Sequence, residues 1–444
     1  MTATNSGPDR GDEWAAGSAT CVITPEASLW LAGFAARDAP AAGVETDLRA
    51  RALAVCDRSD ETLVLVSVEV ISIPPGMRDS LERRCAERYD LEPASVAFAA
   101  THTHCGPLLQ EFRGRIYDVD EELIEASLAY RRRLEDALVD LVGDALAGRE
   151  RARLSYGHAR CGFAMNRRQP TPNGIVNGLH PDGLVDHDVP VLAVKSVDEN
   201  DGNALEAIVF GYACHATTLR LERYCGDWPG YAMQTLEERY PGATALFLTG
   251  CAGDQKPHPS RRLEAARQHG TAMANAVETA LDAPRQPLNG PLRLAHEAIP
   301  LEFEGYDGRD ELEAMRSSTD PYERRHADLL LERLDDEREN LATTYPYRMR
   351  AVGFGSGLTL FTLAGEVVVD YALALEDEIS GPLWIAAYTD GSFTYVPSRR
   401  VLAEGGYEGG DVTRFRRYPG RLTPDVEDEV RSAARALAAR VRGP

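Results

Sequence analysis

Lysine is almost missing from this chain of 444 residues: Lys195 and Lys256 are the only two. Arginine therefore carries nearly all the positive charge, and 48 basic against 70 acidic side chains leave a net charge of −22. A surface of that sign repels phosphate backbones and anionic lipid, which argues against nucleic acid partners and polybasic docking to membranes. Long apolar runs are missing too. None reaches the roughly 18 residues needed to span a bilayer, and no integral membrane segment is expected. The first twenty residues contain no apolar stretch of a secretory signal. Cysteine is sparse, with 8 residues and no C-x-x-C pair, so a disulfide framework is excluded. Free thiols in a cytoplasmic, reducing compartment are the expectation.

What is present suits a globular protein with a full core: 43% of the residues are hydrophobic. Residues 1–19 are rich in small and polar types and predict a disordered tail. The run LVLVSVEVISI, Leu63 to Ile73, reads as one buried strand, closed by Pro74-Pro75 and followed by a helical pattern. SVAFAATHTHCGP is a second strand entering a Gly-Pro loop, and Asp120 to Leu146 carries a long amphipathic helix. PVLAVKSV, ALEAIVFGYACH, ATALFLTG, GLTLFTLAG and LWIAAYTDG read as further strands, with helices between them and at the C-terminus. This alternation predicts an α/β fold of mixed β-sheets flanked by helices. No internal repeat or linker divides the chain, so residues 20–444 are expected to form one catalytic domain. The charged stretch from Asp307 to Asn340 reads as exposed helices, a flap or an insertion.

Three segments share one layout, in which a strand-like run delivers polar or metal-capable residues into a loop. In Thr101-His102-Thr103-His104-Cys105, residues two apart on an extended backbone point the same way, so His102 and His104 can face one site. Two hydrogen-bonded loop histidines are the alternative reading. His215 ends the second such run and is a candidate partner ligand for His102, although a lone strand-end histidine is more often structural. The third run ends in Gly250-Cys251-Ala252-Gly253-Asp254, whose small residues permit close backbone approach to a ligand and whose Asp254 suits orienting a histidine or flanking a metal. A tight turn with a solvated aspartate is the alternative there.

Taken together, the blocks ITP…LAGFAAR, ATHTHCGP, MNRR, GYACHATT, DWPGY, LTGCAGD, LAGE and YVPSRR…GGYEGG resemble the neutral/alkaline non-lysosomal ceramidases, specifically their N-terminal catalytic domain. The resemblance implies a zinc-dependent enzyme that cleaves the amide bond of an N-acyl, lipid-like substrate. It places the metal ligands on His102, His215, Glu366 and Tyr395, and further active-site residues on His104, Arg167 and Tyr407. Asp227 and Asp254 lie in matched loops, with Asp254 assigned to the substrate side. Where the family carries a serine at the substrate site after the Gly-Asp turn, this chain has Lys256, which suits a carboxylate or phosphate on the substrate. The immunoglobulin-like C-terminal domain of the family has no counterpart in residues 20–444.

Two imidazoles, a carboxylate and a phenol form a donor set for a borderline divalent ion such as Zn²⁺. With an open position, such an ion lowers the pKa of bound water toward ~7 and polarises the scissile carbonyl. His104 is then the expected general base or proton donor, and Arg167 or Tyr407 the oxyanion donor. The same chemistry serves a zinc esterase or lactonase on a small acyl substrate. A catalytically inactive metal-binding homologue and a thiol enzyme using Cys105 or Cys214 are readings of other classes. A cysteine adjoining a histidine on a strand points to the opposite side, which makes both thiols core residues.

Overall fold

The apolar run Leu63–Val68 asks for burial on both faces, as do Val96–Ala100 and Thr244–Thr249, and each is a strand of one sheet. The computed structural model of the protein describes residues 14–197, 204–305, 308–336 and 341–442. Its main sheet is mixed. From one edge the strands run Thr244–Thr249, Leu205–Tyr212, Asp188–Ser196, Glu150–Arg160, Trp14–Val22, Arg49–Cys56 and Thr62–Val68. Val96–Ala100, Leu383–Thr389, Leu358–Ala364, Thr344–Phe354 and Leu292–Glu302 complete it to the other edge.

Period-two alternation along these strands feeds two kinds of core. Leu53, Val55, Leu63 and Leu65 face Leu192, Val209, Leu246 and Leu248 in one buried cluster. Across that cluster Ser67 Oγ donates to the Phe247 carbonyl at 2.7 Å and Thr249 Oγ1 to the Ala100 carbonyl at 2.9 Å. The sheet therefore doubles over on itself. The intervening residues point outward: Ala52, Val64 and Val66 pack under the helices Pro75–Tyr89 and Glu121–Ala147. Phe210, Ala245 and Phe247 pack under Asp227–Arg239 and Leu263–Asp282. The α/β expectation holds, with helices on both outer faces of a doubled mixed sheet.

Three expectations change. The predicted tail reaches too far, because Trp14–Val22 is a strand whose residues from Ala15 pair antiparallel with Cys56 back to Arg49. Trp14 is buried and donates Nε1–H to the Leu288 carbonyl at 2.8 Å; the small residues after it resemble a linker in composition but fill a ladder. Residues 1–13 of the predicted tail lie outside the described residues. The Leu63–Ile73 run is not one strand either: it ends at Val68, where the Val70 N–H turns back to the Val68 carbonyl at 2.8 Å. The buried Glu69 then leaves the ladder to pair with Arg51 at 2.7 Å. Finally, the charged stretch contains the helices Arg309–Met315 and Pro321–Asp335, but the second is half sunk. Its Leu329 joins Trp30, Ile71 and Leu108 in a core, its Tyr322 ring lies 5.0 Å from Phe415, and Asp320 pairs with Arg414 at 2.8 Å. It props the segment around residue 415. Asp307 and residues 337–340 of that stretch lie outside the described residues.

One sheet junction is thin. Val96–Ala100 meets Leu383–Thr389 through a single Ala99–Thr389 pairing. Just beyond it, Asp390 accepts from the Phe98 N–H at 3.2 Å and pairs with the fully buried Arg350. Arg350 also donates to the carbonyls of Pro93, Ala94 and Val96 at 2.7–2.9 Å. Removing one partner of a buried pair strands the other charge. Asp390→Ala is therefore expected to lower stability by about 3–5 kcal/mol in urea unfolding. An unchanged midpoint would show that packing alone holds the junction.

Candidate metal centre and active site

The histidines expected at strand ends do converge, by a different route from the one their spacing implies. His102 is not extended: its φ is 63°, in the left-handed region that costs a branched or bulky side chain most. That turn follows directly on Val96–Ala100 and swings the imidazole inward. Its Nδ1 lies 2.6 Å from the Ile71 carbonyl, and the His215 Nδ1 lies 2.6 Å from the Ala252 carbonyl. A carbonyl only accepts, so each Nδ1 carries the proton and each Nε2 presents a bare lone pair to the interior.

Glu366 and Tyr395 meet those lone pairs from a two-residue parallel ladder in which they are direct partners. Glu366 Oε2 lies 3.3 Å from His102 Nε2 and 3.5 Å from His215 Nε2. The Tyr395 hydroxyl lies 3.4 Å from His215 Nε2. Donors at about 2.1 Å from one tetrahedral ion stand ~3.4 Å apart, so these separations fit a shared metal of zinc size. All four residues are buried. Burial alone would raise the Glu366 carboxyl; positive charge at the His102 and His215 rings, which an ion among them would also supply, holds it well below the usual carboxylate range.

His104 is the third histidine of the cluster: one ring nitrogen each of His102, His104 and His215 lies within 4.8 Å of the others. Its Nε2 stands 3.3 Å from His102 Nε2, and its buried Nδ1 has no hydrogen-bond partner. Burial, then the neighbouring His102 and His215, lowers the His104 imidazole well below its ordinary range. His104 is the part-exposed member of the set and marks the side from which the site is reached. Gly33 closes over it at φ 93°, where a Cβ would sit 2.4 Å from His104 Nδ1, so only glycine fits.

The other predicted residues divide. Arg167 is buried and doubly committed, donating from Nη2 to the Tyr395 hydroxyl at 2.7 Å and from Nε to Glu408 at 2.7 Å. Tyr407 lies with its ring 5.6 Å from Tyr395, and its hydroxyl has no hydrogen-bond partner among the described residues. Lys256 is half-buried on the short strand Gln255–Pro257, one residue after the carbonyl that accepts from the His215 N–H at 3.2 Å. Asp254, expected on the substrate, is instead fully buried. It accepts from Val369 N–H at 2.9 Å and from the Asn166 amide at 3.2 Å, tying three loops together behind the site. Gly253 beside it lets that turn reach the Glu366 strand: a Cβ there would lie 2.8 Å from the Glu366 carbonyl oxygen. Cys105 and Cys214 are buried, and burial pushes the Cys105 thiol up to about 12 and Cys214 well above its ordinary value, which disfavours thiolate chemistry.

One residue escaped the sequence reading. Arg416 is buried, donates from Nη2 to Glu366 Oε1 at 2.7 Å, and lies 5.8 Å over the Tyr395 ring. It holds the oxygen of Glu366 that faces away from the histidines, and so touches both candidate ligands of the short ladder. Its only trace in the sequence was an arginine cluster at Arg414-Phe415-Arg416-Arg417, which reads as a solvated loop.

The fold has a precedent. Residues 15–257, more than half the chain, match the neutral/alkaline non-lysosomal ceramidase N-terminal family. The chain belongs to this family. Its fold agrees: the neutral ceramidase of Pseudomonas aeruginosa superposes with a TM-score of 0.73 at 18% identity, over 98% of this chain and 76% of that one. A ceramidase complexed with C2 superposes with a TM-score of 0.73 at 17% identity, over 96% of this chain and 75% of that one. No curated protein matches the sequence. The family match ends at residue 257, so within this ceramidase fold it is the geometry that joins Glu366, Tyr395 and Arg416 to the histidines. A cavity of about 760 Å³, lined by Tyr156, His158, Asp186 and Glu376, contains none of these residues.

Two outcomes follow for this ceramidase-family site. Arg416→Met should weaken divalent-ion affinity about 10- to 100-fold, as loss of a ligand's supporting hydrogen bond does, with the melting temperature checked in parallel. Equal affinity in competition with a chelating dye would reduce Arg416 to a packing role. Asp227 is fully buried, and burial pushes its carboxyl up to about 6 despite the Leu219 and Trp228 N–H groups that donate to it. Its folded value exceeds its unfolded one, so its stabilising contribution is present below about pH 4 and is lost as pH rises through about 6. The melting temperature of wild type relative to Asp227→Asn should fall between pH 4 and 7; a constant difference would mean Asp227 does not titrate there.

Proposed function

We propose that this ceramidase-family hydrolase is zinc-dependent and cleaves an amide bond of an N-acyl substrate. The observation that carries the reading is the convergence of two bare imidazole nitrogens, one carboxylate oxygen and one phenol at 3.3–3.5 Å spacing in a buried site. That N₂O₂ set suits a borderline divalent ion, and each member has a supporting hydrogen bond: carbonyls on both imidazoles, Arg416 on Glu366, Arg167 on Tyr395.

When bound, zinc supplies Lewis acidity, drawing a water's pKa toward ~7 and polarising the scissile carbonyl. The chain's own groups do the rest. His104, on the accessible side with Nε2 directed at the His102 ring, is placed to take a proton from the attacking water and return it to the leaving amine. The unpartnered Tyr407 hydroxyl is the oxyanion donor. Arg167 donates from Nε to Glu408 and from Nη2 to Tyr395, so it holds the phenol in place. The engagement of Arg167 supports Tyr407 over Arg167 as that donor.

Elemental analysis of the purified protein tests the reading, alongside release of free amine from a panel of N-acyl amides. About one zinc per chain is expected, lost in His102→Ala and Glu366→Ala, with amide cleavage abolished by chelator and restored by Zn²⁺. Tyr407→Phe should keep the metal and lower kcat about 10²- to 10³-fold. Cleavage of esters but not amides would reassign the reaction. A protein that takes up no zinc on reconstitution would overturn the proposal.

A further inference from the structure

Lys256 is anomalous on charge alone. The chain carries 70 acidic residues, yet this half-buried lysine forms no ion pair among the described residues. Its Nζ makes one hydrogen bond, to Asn177 Oδ1 at 3.1 Å. An ammonium has three donors, and leaving them short of partners in a partly desolvated place costs stability. The charges that act on it are Arg167, Arg261 and Glu408, and burial followed by the two arginines lowers its pKa from the usual lysine value. Glu408 offers little relief, since its two oxygens already take Arg167 at 2.7 Å and Arg168 at 2.8 Å.

Arg261, which acts on Lys256, is likewise unpaired. It is exposed, has no side-chain hydrogen bond or ion pair among the described residues, and is held at φ 68° in the left-handed region. Its N–H donates to the Thr218 carbonyl, which belongs to the loop that begins at the ligand candidate His215. Lys256 is bound to the same place through its neighbour Gln255, whose carbonyl accepts from the His215 N–H. Two uncompensated cations therefore flank one loop of the metal site, in a protein whose net charge is −22. Electrostatic focusing at such a mouth selects negative ligands against the repulsion of the surrounding surface.

We infer that Lys256 and Arg261 form an anion subsite at the mouth of this centre, so that the substrate is an N-acyl compound bearing a carboxylate or phosphate. The inference rests on the amide-hydrolase reading for the identity of the reacting bond, but not for the anion site itself. An anion there would take the remaining Lys256 donors as charge-assisted hydrogen bonds, which are about twice as strong as neutral ones.

The test uses the zinc-loaded full chain and two carboxylates, N-octanoylglycine on the amine side and N-octylsuccinamic acid on the acyl side, each against its neutral carboxamide. Amine release gives kcat/KM, and calorimetry with the non-hydrolysable ketomethylene isosteres of the same compounds gives binding without turnover. At least one carboxylate should be preferred over its carboxamide by about 10-fold or more. That preference should collapse in Lys256→Gln, persist in Lys256→Arg and shrink in Arg261→Gln. Carboxamides cleaved as well as carboxylates, or a preference that survives Lys256→Gln, would overturn the anion subsite while leaving amide hydrolysis standing. No cleavage, combined with carboxylate isosteres that bind tighter than carboxamides only when Lys256 is present, would uphold the subsite and sink the amide reading. No cleavage and no difference in isostere binding would overturn both.

Discussion

Two backbone carbonyls govern the chemistry of this protein. By accepting the Nδ1 protons of His102 and His215, the Ile71 and Ala252 carbonyls fix both imidazoles in the tautomer whose Nε2 lone pairs face inward. Bare lone pairs beside an ionised carboxylate repel one another in a buried site unless a cation lies among them. The surrounding architecture answers that demand at each ligand. Arg416 takes the outer oxygen of Glu366, Arg167 takes the Tyr395 hydroxyl, and Glu408 balances Arg167 and Arg168 in turn. Behind them Asp254 ties together the loops that deliver Arg167 and Glu366. Each supporting side chain exists because the one before it needs a partner.

Much of this was legible in the sequence, for reasons that are physical. Apolar runs ending in small or polar residues locate the strand ends, and strand ends in an α/β fold are where side chains can be presented without burying the turn. That logic finds His102, His104 and His215 without help. It gave the wrong reason for one of them: the two-residue spacing of His102 and His104 implied an extended strand, whereas a left-handed turn at His102 brings them together. The resemblance brought in Glu366 and Tyr395, whose pairing across a two-residue ladder no local pattern could announce.

What stayed hidden depended on burial that no window of sequence reveals. Asp254 looks like a turn aspartate open to substrate and is a fully buried brace. Arg416 looks like part of a solvated basic loop and touches two candidate ligands, because the helix Pro321–Asp335 presses that loop inward through Tyr322 and Asp320. The same helix was read as an exposed flap from its charge. Its apolar stripe was narrow and lay among many acids and arginines, so composition outweighed periodicity. The Trp14–Val22 strand was missed for the opposite reason, being too small in its side chains to advertise a buried ladder.

The site draws its donors from almost the whole length of the chain, from His102 to Tyr395, with Arg416 later still. The half that the family match covers holds the histidines, and the other half holds the oxygen donors. An ion held between them would therefore be a fastener as much as a reagent. It adds its binding free energy to the docking of one half of the molecule on the other. A cleavage of the chain anywhere between the strand ending at Thr249 and the ladder at Glu366 would leave the candidate ligands on two pieces joined by packing, the Ala99–Thr389 pairing and buried pairs such as Arg167–Glu408.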